Sequence, residues 1–231
     1  MKTLIFATGY APNADIWYQS HNTWIDCVRS SGLHYDQLLI PDDHSPEIPE
    51  ISNSVILNQT DILDQQPQSQ IVIYRFAERL GRPALFIQPG WYRSFTWAGW
   101  YAHKFGFERV IHIEADACVI SSKLVKYFNN YSEGWETLWC PLHGIAETGI
   151  QVIAGKDCVE AFGLYHYLDY DTHFRGRQPD PREGIGSYLP YQVNKNFVGD
   201  RYSEFTNEVP AGVDYACQLN KNFHRWWIGN K

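Results

Sequence analysis

The chain has 231 residues, 44% of them hydrophobic, and a formal net charge of -7 at pH 7. This length suits one α/β domain with a sizeable core, so we expect a single domain across residues 1–231. The acidic balance argues against nucleic acid as a partner, because a duplex-binding surface needs clustered Lys and Arg. No apolar run reaches the roughly 18 residues of a membrane span, so any contact with a membrane is expected to be peripheral.

The cysteines are five in number and scattered, without the C-x-x-C spacing of zinc or redox sites. We interpret them as buried free thiols in a reducing compartment, which predicts a cytoplasmic protein. The apolar stretch at residues 4–7 is too short for the core of a signal peptide, and we expect it to be a buried first strand.

The first half of the chain alternates between strand and helix patterns. Strands are predicted at residues 3–10, 35–40, 54–57, 84–88 and 110–113. Helices are predicted from a cap at Asn13 to a stop at Gly32, at residues 71–80 and at residues 92–105. This alternation is typical of a mostly parallel, doubly wound sheet, in which ligands bind beyond the carboxyl ends of the strands.

The second half is less regular. Strands are predicted at residues 137–141 and 148–153, helices at 156–167 and 187–197, and a long polar loop at 171–186. Loops of that length are often functional lids or disordered.

Two carboxylates, Glu114 and Asp116, follow the apolar strand at residues 110–113. Side chains alternate across a strand, so the two face the same way with their Cα atoms about 6.6 Å apart. Both can then reach one divalent cation, which would relieve their repulsion and could also grip a polyphosphate. This pattern points to nucleotide chemistry, with a solvated acidic turn at a strand end as the alternative.

The segment from Lys104 to Val119 resembles the metal-binding motif of the glycosyltransferases of the GT-A fold, particularly the group with glycogenin and bacterial lipopolysaccharide hexosyltransferases. The shared pattern is a helix, an aromatic and a basic residue, an aliphatic strand, D-x-D and an aliphatic residue. Residues 147–153 resemble the family's N-S-G strand, which lines the acceptor side of the sugar pocket. The architectural resemblance covers residues 3–162.

The resemblance implies a Rossmann-like GT-A fold, with a mostly parallel central sheet flanked by helices. Residues 1–120 would bind the nucleotide, and residues 121–231 would face the acceptor. The implied donor is a nucleotide-diphosphate sugar, a UDP-sugar first, and the implied acceptor is a glycan or a lipid-linked sugar. Mn²⁺ or Mg²⁺ would bridge the diphosphate and stabilise the charge that develops on the leaving nucleotide.

The same resemblance assigns residues to the donor site. Thr8, Gly9 and Tyr10 would contact the nucleotide, and Asp42 would contact the base or ribose. The segment that would hold the metal and the diphosphate comprises Glu114, Ala115 and Asp116.

Two positions, Glu114 and Arg93, depart from the family's pattern, and His224 is a candidate for a further family residue. Glu114 stands where the family has Asp, so its longer side chain can reach the ribose or a water instead of the metal. His224 is the candidate for the late histidine that acts as a third metal ligand. Arg93 is the nearest substitute for the basic residue that contacts the donor phosphates.

The stereochemistry of transfer is left open by these motifs. An inverting enzyme needs a carboxylate that accepts the proton of the acceptor hydroxyl. Glu147, Glu183 and Asp200 lie in regions expected on the acceptor side. We assign Glu147 to catalysis because it adjoins the matched strand, together with Asp116 at the metal.

The sequence therefore predicts a metal-dependent, hexosyltransferase-like enzyme of polysaccharide or other glycan biosynthesis. A sugar-1-phosphate nucleotidyltransferase would share the strand order, but that class uses a basic loop after the first strand, and residues 8–12 contain no Arg or Lys. A non-catalytic nucleotide- or glycan-binding module of the same fold is the other alternative, and the replacement of Asp by Glu114 favours it.

Overall fold

A computed structural model describes residues 1–84, 87–168, 170, 189–206 and 208–219. The loop predicted at residues 171–186 lies outside these described residues, and so do the candidate residues Glu183 and His224.

The described residues form short strands and helices that alternate in the first half of the chain. The strands are β1 Thr3–Phe6, β2 Gln37–Asp42, β3 Ser54–Asn58, β4 Ile71–Arg75, β5 Arg109–Ile113, β6 Cys118–Val119, β7 Gly134–Cys140, β8 Ile145–Ala154, β9 Gln192–Asn194, β10 Gly199–Asp200 and β11 Tyr215–Ala216. The α-helices are α1 Ala14–Trp17, α2 Thr23–Ser31, α3 Pro89–Lys104, α4 Ser122–Asn130 and α5 Lys156–Leu164. A π-helical turn, Tyr18–Asn22, joins α1 to α2.

The central sheet has eight strands in the order β3-β4-β2-β1-β5-β8-β7-β9. From β3 to β5 every neighbouring pair is parallel. Strand β8 is antiparallel to both β5 and β7, and β9 pairs parallel with β7 at the edge. The prediction of a mostly parallel central sheet flanked by helices is confirmed.

The sheet separates two hydrophobic cores, because alternate side chains of its buried strands point to opposite faces. Ile5 of β1 belongs to the core that α1, α2 and α4 cover. Its neighbours Leu4 and Phe6 belong to the core that α3 and α5 cover. Both faces are buried, as parallel sheets require.

The first helical region begins and ends where the sequence predicts. The side chain of Asn13 accepts a hydrogen bond of 2.9 Å from the backbone N–H of Ile16 and so caps α1. Gly32 ends α2 in the left-handed conformation at φ 88°, which glycine adopts without steric cost.

The helix predicted at residues 71–80 is wrong. Residues 71–75 form β4, which lies between β2 and β3. Its consecutive residues Ile71, Val72 and Ile73 are all fully buried. A helix at the face of a sheet buries one stripe, whereas a parallel strand covered on both faces buries every residue, so the β-branched run suits the strand.

Two further predictions differ from the structure. The helix predicted at residues 187–197 is wrong where the structure describes the chain, because residues 192–194 form the edge strand β9. The strand predicted at residues 84–88 is represented by an isolated bridge between Ala84 and Ile87, and the two residues between them lie outside the described part.

A small second sheet closes over the end of β5. Its strands have the order β10-β11-β6, with β11 parallel to β10 and antiparallel to β6. Because β6 directly follows the acidic segment, this sheet brings β10 and β11 beside it. No helix within the described ranges is long and apolar enough to cross a membrane.

All five cysteines are free. Four of them are buried, and Cys158 is partly exposed. This agrees with the prediction of buried thiols made from their scattered positions in the sequence.

The contact between α3 and α5 can be tested at Gly99. A Cβ atom on Gly99 would lie 2.8 Å from both Cγ and the carbonyl oxygen of Phe162. Helix propensity alone favours Ala over Gly by roughly 0.5–1 kcal/mol, but overpacking of this kind costs about 1–3 kcal/mol. We expect Gly99→Ala to lower the free energy of unfolding, measured by urea denaturation. A variant that is more stable than the wild type would contradict the close approach of the two helices.

Candidate functional site

The acidic segment lies at the switch point of the sheet. The chain leaves β1 towards β2 on one side, and it later returns to β5 on the other side of β1. Open α/β sheets bind ligands in the crevice beyond the carboxyl ends of such strands. Thr8 follows β1 and Glu114 follows β5, and the Thr8 hydroxyl donates a 2.9 Å hydrogen bond to Glu114 Oε2 across this crevice.

Glu114 is held by three side chains at once. Besides Thr8, the indole N–H of Trp91 donates to Oε1, and His112 Nε2 lies 3.0 Å from the same oxygen. Burial raises the pKa of the Glu114 carboxyl, but attraction to His112 and the hydrogen bonds of His112, Trp91 and Thr8 outweigh it, so the pKa lies below its usual value. Glu114 is therefore a fixed anion.

His112 is positioned from both of its ring nitrogens. Its Nδ1 lies 3.2 Å from the carbonyl oxygen of Thr148, while Nε2 faces Glu114. The ring is fully buried and stacks on Phe6 at 4.6 Å between ring centroids, so it cannot turn away from Glu114.

The prediction that Glu114 and Asp116 continue the strand is wrong, because residues 114–117 form a turn closed by a 2.9 Å hydrogen bond from the Ala117 N–H to the Glu114 carbonyl oxygen. Asp116 therefore has a different environment from Glu114. No described side chain donates a hydrogen bond to its carboxylate, which is partly exposed. Burial, and then repulsion from Glu114 and Glu147, raise the pKa of Asp116 to about 7. Three carboxylates thus share one small region, and Asp116 is the one without a partner among the residues that the structure describes.

Gly149 lies at the centre of this region. A Cβ atom there would be 3.1 Å from Glu147 Oε1, 3.7 Å from Glu114 Cγ and 3.9 Å from Cys217 Sγ. The absence of a side chain at Gly149 lets the acidic residues of β5 and β8 approach each other. The backbone N–H of Glu114 also donates to the Gly149 carbonyl oxygen at 2.8 Å, which fixes the register of the two strand ends.

Glu147 is buried and paired with Arg201. The distance from Arg201 Nε to Glu147 Oε2 is 2.7 Å, and from Nη2 to Oε1 it is 3.3 Å. The backbone N–H of Gly149 donates to Oε1 at 3.2 Å. Glu147 is therefore engaged within the protein by a charge-assisted, two-point pair.

Asp200, the other described candidate for a base, is also engaged within the protein. Its carboxylate accepts hydrogen bonds from the backbone N–H of Leu142 at 3.0 Å and of Arg201 at 2.9 Å. The Cys140 thiol lies 3.3 Å from it. These contacts favour a role in holding the turn that carries Arg201.

Asp42 at the end of β2 is fully buried. Its carboxylate accepts hydrogen bonds from the Ser45 backbone N–H and hydroxyl, both at 2.6 Å, and from the Trp17 indole at 3.2 Å. These contacts favour a structural role over a contact with base or ribose. Close packing also explains the glycine at position 9, since a Cβ atom there would lie 2.9 Å from Ile40 Cγ2.

Arg93 and Tyr10 both contact charged groups of the surrounding loops. The Arg93 guanidinium pairs with Asp43 and lies 4.0 Å from the Phe76 ring centroid. Tyr10 is covered by Arg79, whose guanidinium carbon lies 3.7 Å from the Tyr10 ring centroid. Arg93 is thus neutralised within the protein, whereas Arg79 places a cation beside a loop that has none of its own.

A divalent cation fits this site through one of the predicted ligands. No group of three His, Cys, Asp or Glu side chains within the described ranges is positioned to hold a metal ion. Asp116 has the hard oxygen ligands and the uncompensated charge that such a cation requires. Glu114 fits less well because Oε1, the oxygen nearest His112, is already taken by protein donors.

Three residues that shape this site were missed or misread in the sequence. His112 and Glu114 share one strand face because they are two residues apart, and that spacing alone could have indicated their contact. Trp91 lies in the first turn of α3, and its indole N–H donates to Glu114. Arg201 had no detectable signal, because its pairing with Glu147 depends on the small sheet.

The same fold occurs in solved glycosyltransferases. The structure of GlyE from Streptococcus pneumoniae matches 99% of this chain and 59% of GlyE, with 12% identity and a TM-score of 0.57. An active-site mutant of LgtC matches over 94% of this chain and 87% of LgtC, with 9% identity and a TM-score of 0.54. The predicted GT-A fold is thereby confirmed. No family model and no curated protein matches the sequence.

The raised pKa of Asp116 predicts a pH-dependent stability in the absence of metal. Folded Asp116 titrates at about 7, above the value of about 3.9 expected for the unfolded chain. The contribution of this group to stability is therefore complete below about pH 4 and is lost as the pH rises through about 7. We expect Asp116→Asn to stabilise the protein more at pH 8.5 than at pH 5, measured by urea denaturation.

A matched control is Glu160→Gln, which removes one exposed carboxylate from α5. This variant is expected to show the same small effect at both pH values. Equal stabilisation by Asp116→Asn at pH 5 and pH 8.5 would contradict the raised pKa of Asp116.

Proposed function

We propose that this chain is a divalent-cation-dependent glycosyltransferase. It would transfer a sugar from a nucleotide-diphosphate sugar, a UDP-sugar first, to a hydroxyl group of a glycan or lipid-linked acceptor. The observation that supports this most strongly is Asp116, a carboxylate without a described side-chain donor at the switch-point crevice, beside Glu114 and Glu147. A bound cation would relieve their repulsion, and the fold has solved examples among glycosyltransferases.

Asp116 is the residue that we assign to the cation, Mn²⁺ or Mg²⁺. When bound, the cation would neutralise the diphosphate and stabilise the negative charge on the leaving nucleotide. His224 stays a proposal for a further ligand, and it lies outside the described residues.

Glu114 would act as a fixed acceptor for the donor's polar groups. Its Oε1 is held by Trp91 and His112, whereas its Oε2 has one described donor, Thr8. A carboxylate oxygen has room for a second hydrogen bond, so Oε2 can accept one from a ribose hydroxyl or a metal-bound water. Thr8, Gly9, Tyr10 and Ala115 would then form the wall of the nucleotide site.

The acceptor would approach from the side of β8 and the small sheet. Glu147 lies there but is paired with Arg201, so we assign it to positioning in place of proton transfer. The proton of the acceptor hydroxyl would then pass to the nucleotide-sugar donor or to another group, and both retention and inversion of the sugar's configuration are compatible with this assignment. The free state of all five cysteines supports the proposed cytoplasmic location.

The function can be tested with a panel of nucleotide sugars and Mn²⁺. We expect one donor to raise the melting temperature in the presence of Mn²⁺ and to be hydrolysed slowly, since transfer to water is the default without an acceptor. Asp116→Asn should abolish the Mn²⁺ dependence of both signals, because it removes the assigned cation ligand. Glu114→Gln should weaken nucleotide binding and retain binding of Mn²⁺ measured by electron paramagnetic resonance.

Glu160→Gln is the control, since it removes one exposed carboxylate on α5, which is not part of the acidic segment. A wild-type protein that ignores every donor, with Asp116→Asn behaving identically, would refute the glycosyltransferase proposal. Tight nucleotide binding that is independent of Mn²⁺ and without turnover would instead support a non-catalytic binding module. The observation that favours this second candidate is that protein donors already hold Oε1 of Glu114, which leaves Asp116 as the one predicted ligand open to a cation among the described residues.

A further inference from the structure

We infer that the guanidinium edge of Arg201 that faces away from Glu147, formed by Nη1 and the second N–H of Nη2 and called the outer edge, binds an anionic oxygen group. This group is a phosphate or a carboxylate of the ligand that occupies this site. The inference rests on the proposed function and deepens it, because it assigns an anchor for negative charge to a region made mostly of carboxylates.

The inner edge of the Arg201 guanidinium is fixed by Glu147. Two of its nitrogen atoms, Nε and Nη2, lie 2.7 Å and 3.3 Å from the two oxygens of Glu147. Glu147 is 1% exposed and cannot exchange this partner for water. A planar guanidinium held along one edge presents its other edge in a set direction, which suits it to planar anions.

The outer edge makes no hydrogen bond to any of the residues that the structure describes. Nη1 carries two N–H groups and Nη2 carries a second one, and no described residue accepts a hydrogen bond from them. Glu204 forms a longer ion pair with this edge, with its Oε1 3.8 Å from Nη1, which is beyond hydrogen-bond distance. The Arg201 side chain is 21% exposed, so it is accessible to a ligand, and its charge acts on Asp116 of the acidic segment.

The backbone beneath Arg201 is also fixed. Asp200 accepts a hydrogen bond from the Arg201 backbone N–H at 2.9 Å and from that of Leu142 at 3.0 Å. The strand β10 that ends at Asp200 pairs with β11, which pairs with β6 next to the acidic segment. Arg201 is thus preorganised by three separate contacts, and a ligand would not have to order it.

The site around Arg201 is strongly acidic. Glu114, Asp116 and Glu147 would together repel the phosphates or carboxylate of a ligand, and a cation at Asp116 offsets part of that charge. Arg201 acts on the same region, since its positive charge lowers the pKa of Asp116 against the stronger raising effects of burial, Glu114 and Glu147. A second, protein-borne positive charge would let an anion bind between the cation and β10.

Two sources of the anion have this chemistry. One is the diphosphate of the donor, and the other is the carboxylate of an acidic acceptor sugar. The test compares wild type and Arg201→Lys, which keeps the charge and loses the planar fork. The probes are UDP with Mn²⁺ for the donor, and glucuronate against glucose for the acceptor, measured by isothermal titration calorimetry.

We expect Arg201→Lys to raise the dissociation constant of one anionic probe about tenfold and to leave glucose unaffected. Weakened UDP binding would assign the edge to the donor, and weakened glucuronate binding would assign it to an acidic acceptor. Unchanged affinity for both, or a wild type that binds neither, would overturn the inference.

Glu204→Gln gives a second test that leaves the pair with Glu147 in place. Removing the negative charge near Nη1 should tighten the same anionic probe about twofold, and this sign is opposite to that of Arg201→Lys. If Arg201→Lys fails to fold, an unchanged affinity in Glu204→Gln still overturns the inference. Wild-type binding of UDP that depends on Asp116, with the affinities for UDP and for glucuronate both unchanged by Arg201→Lys and by Glu204→Gln, would refute this inference and leave the proposed function intact.

Discussion

The hydrogen bonds to Glu114 across the switch point are the constraint on which the rest of the site depends. They join the end of β1, through Thr8, to the end of β5 and to the first turn of α3, through Trp91. With His112 behind it, this carboxylate stays charged at the centre of the fold. The other acidic groups of the site are then arranged around a carboxylate that stays ionised and fixed in position.

The consequences of that fixed charge differ among its neighbours. Glu147 is stabilised by its pair with Arg201, while Asp116 has no described donor and holds its proton up to about pH 7. The site therefore divides its carboxylates into two that are compensated by the protein and one that is not. An uncompensated carboxylate in a crevice is a common sign of a ligand site, although ion-pair networks can also shift pKa values.

The sequence predicted the parts of the fold that local chemistry determines. The cap at Asn13, the stop at Gly32 and the acidic pair at the end of β5 all depend on residues close together in the chain. The error at residues 71–75 has the opposite origin, because a short apolar run suits both a helix and a buried strand until its neighbours are known. The pair of Glu147 and Arg201 was out of reach for the same reason, since 54 residues separate the two partners.

The pairing of β6 with β11 also has a consequence for biosynthesis. Strand β6 is made early, but the partner that covers it, Tyr215–Ala216, emerges from the ribosome about a hundred residues later. The carboxylates before β6 thus stay uncovered while the central sheet assembles, and their surroundings mature last. A nascent chain halted before this point would have a central sheet whose crevice lacks the small sheet beside it.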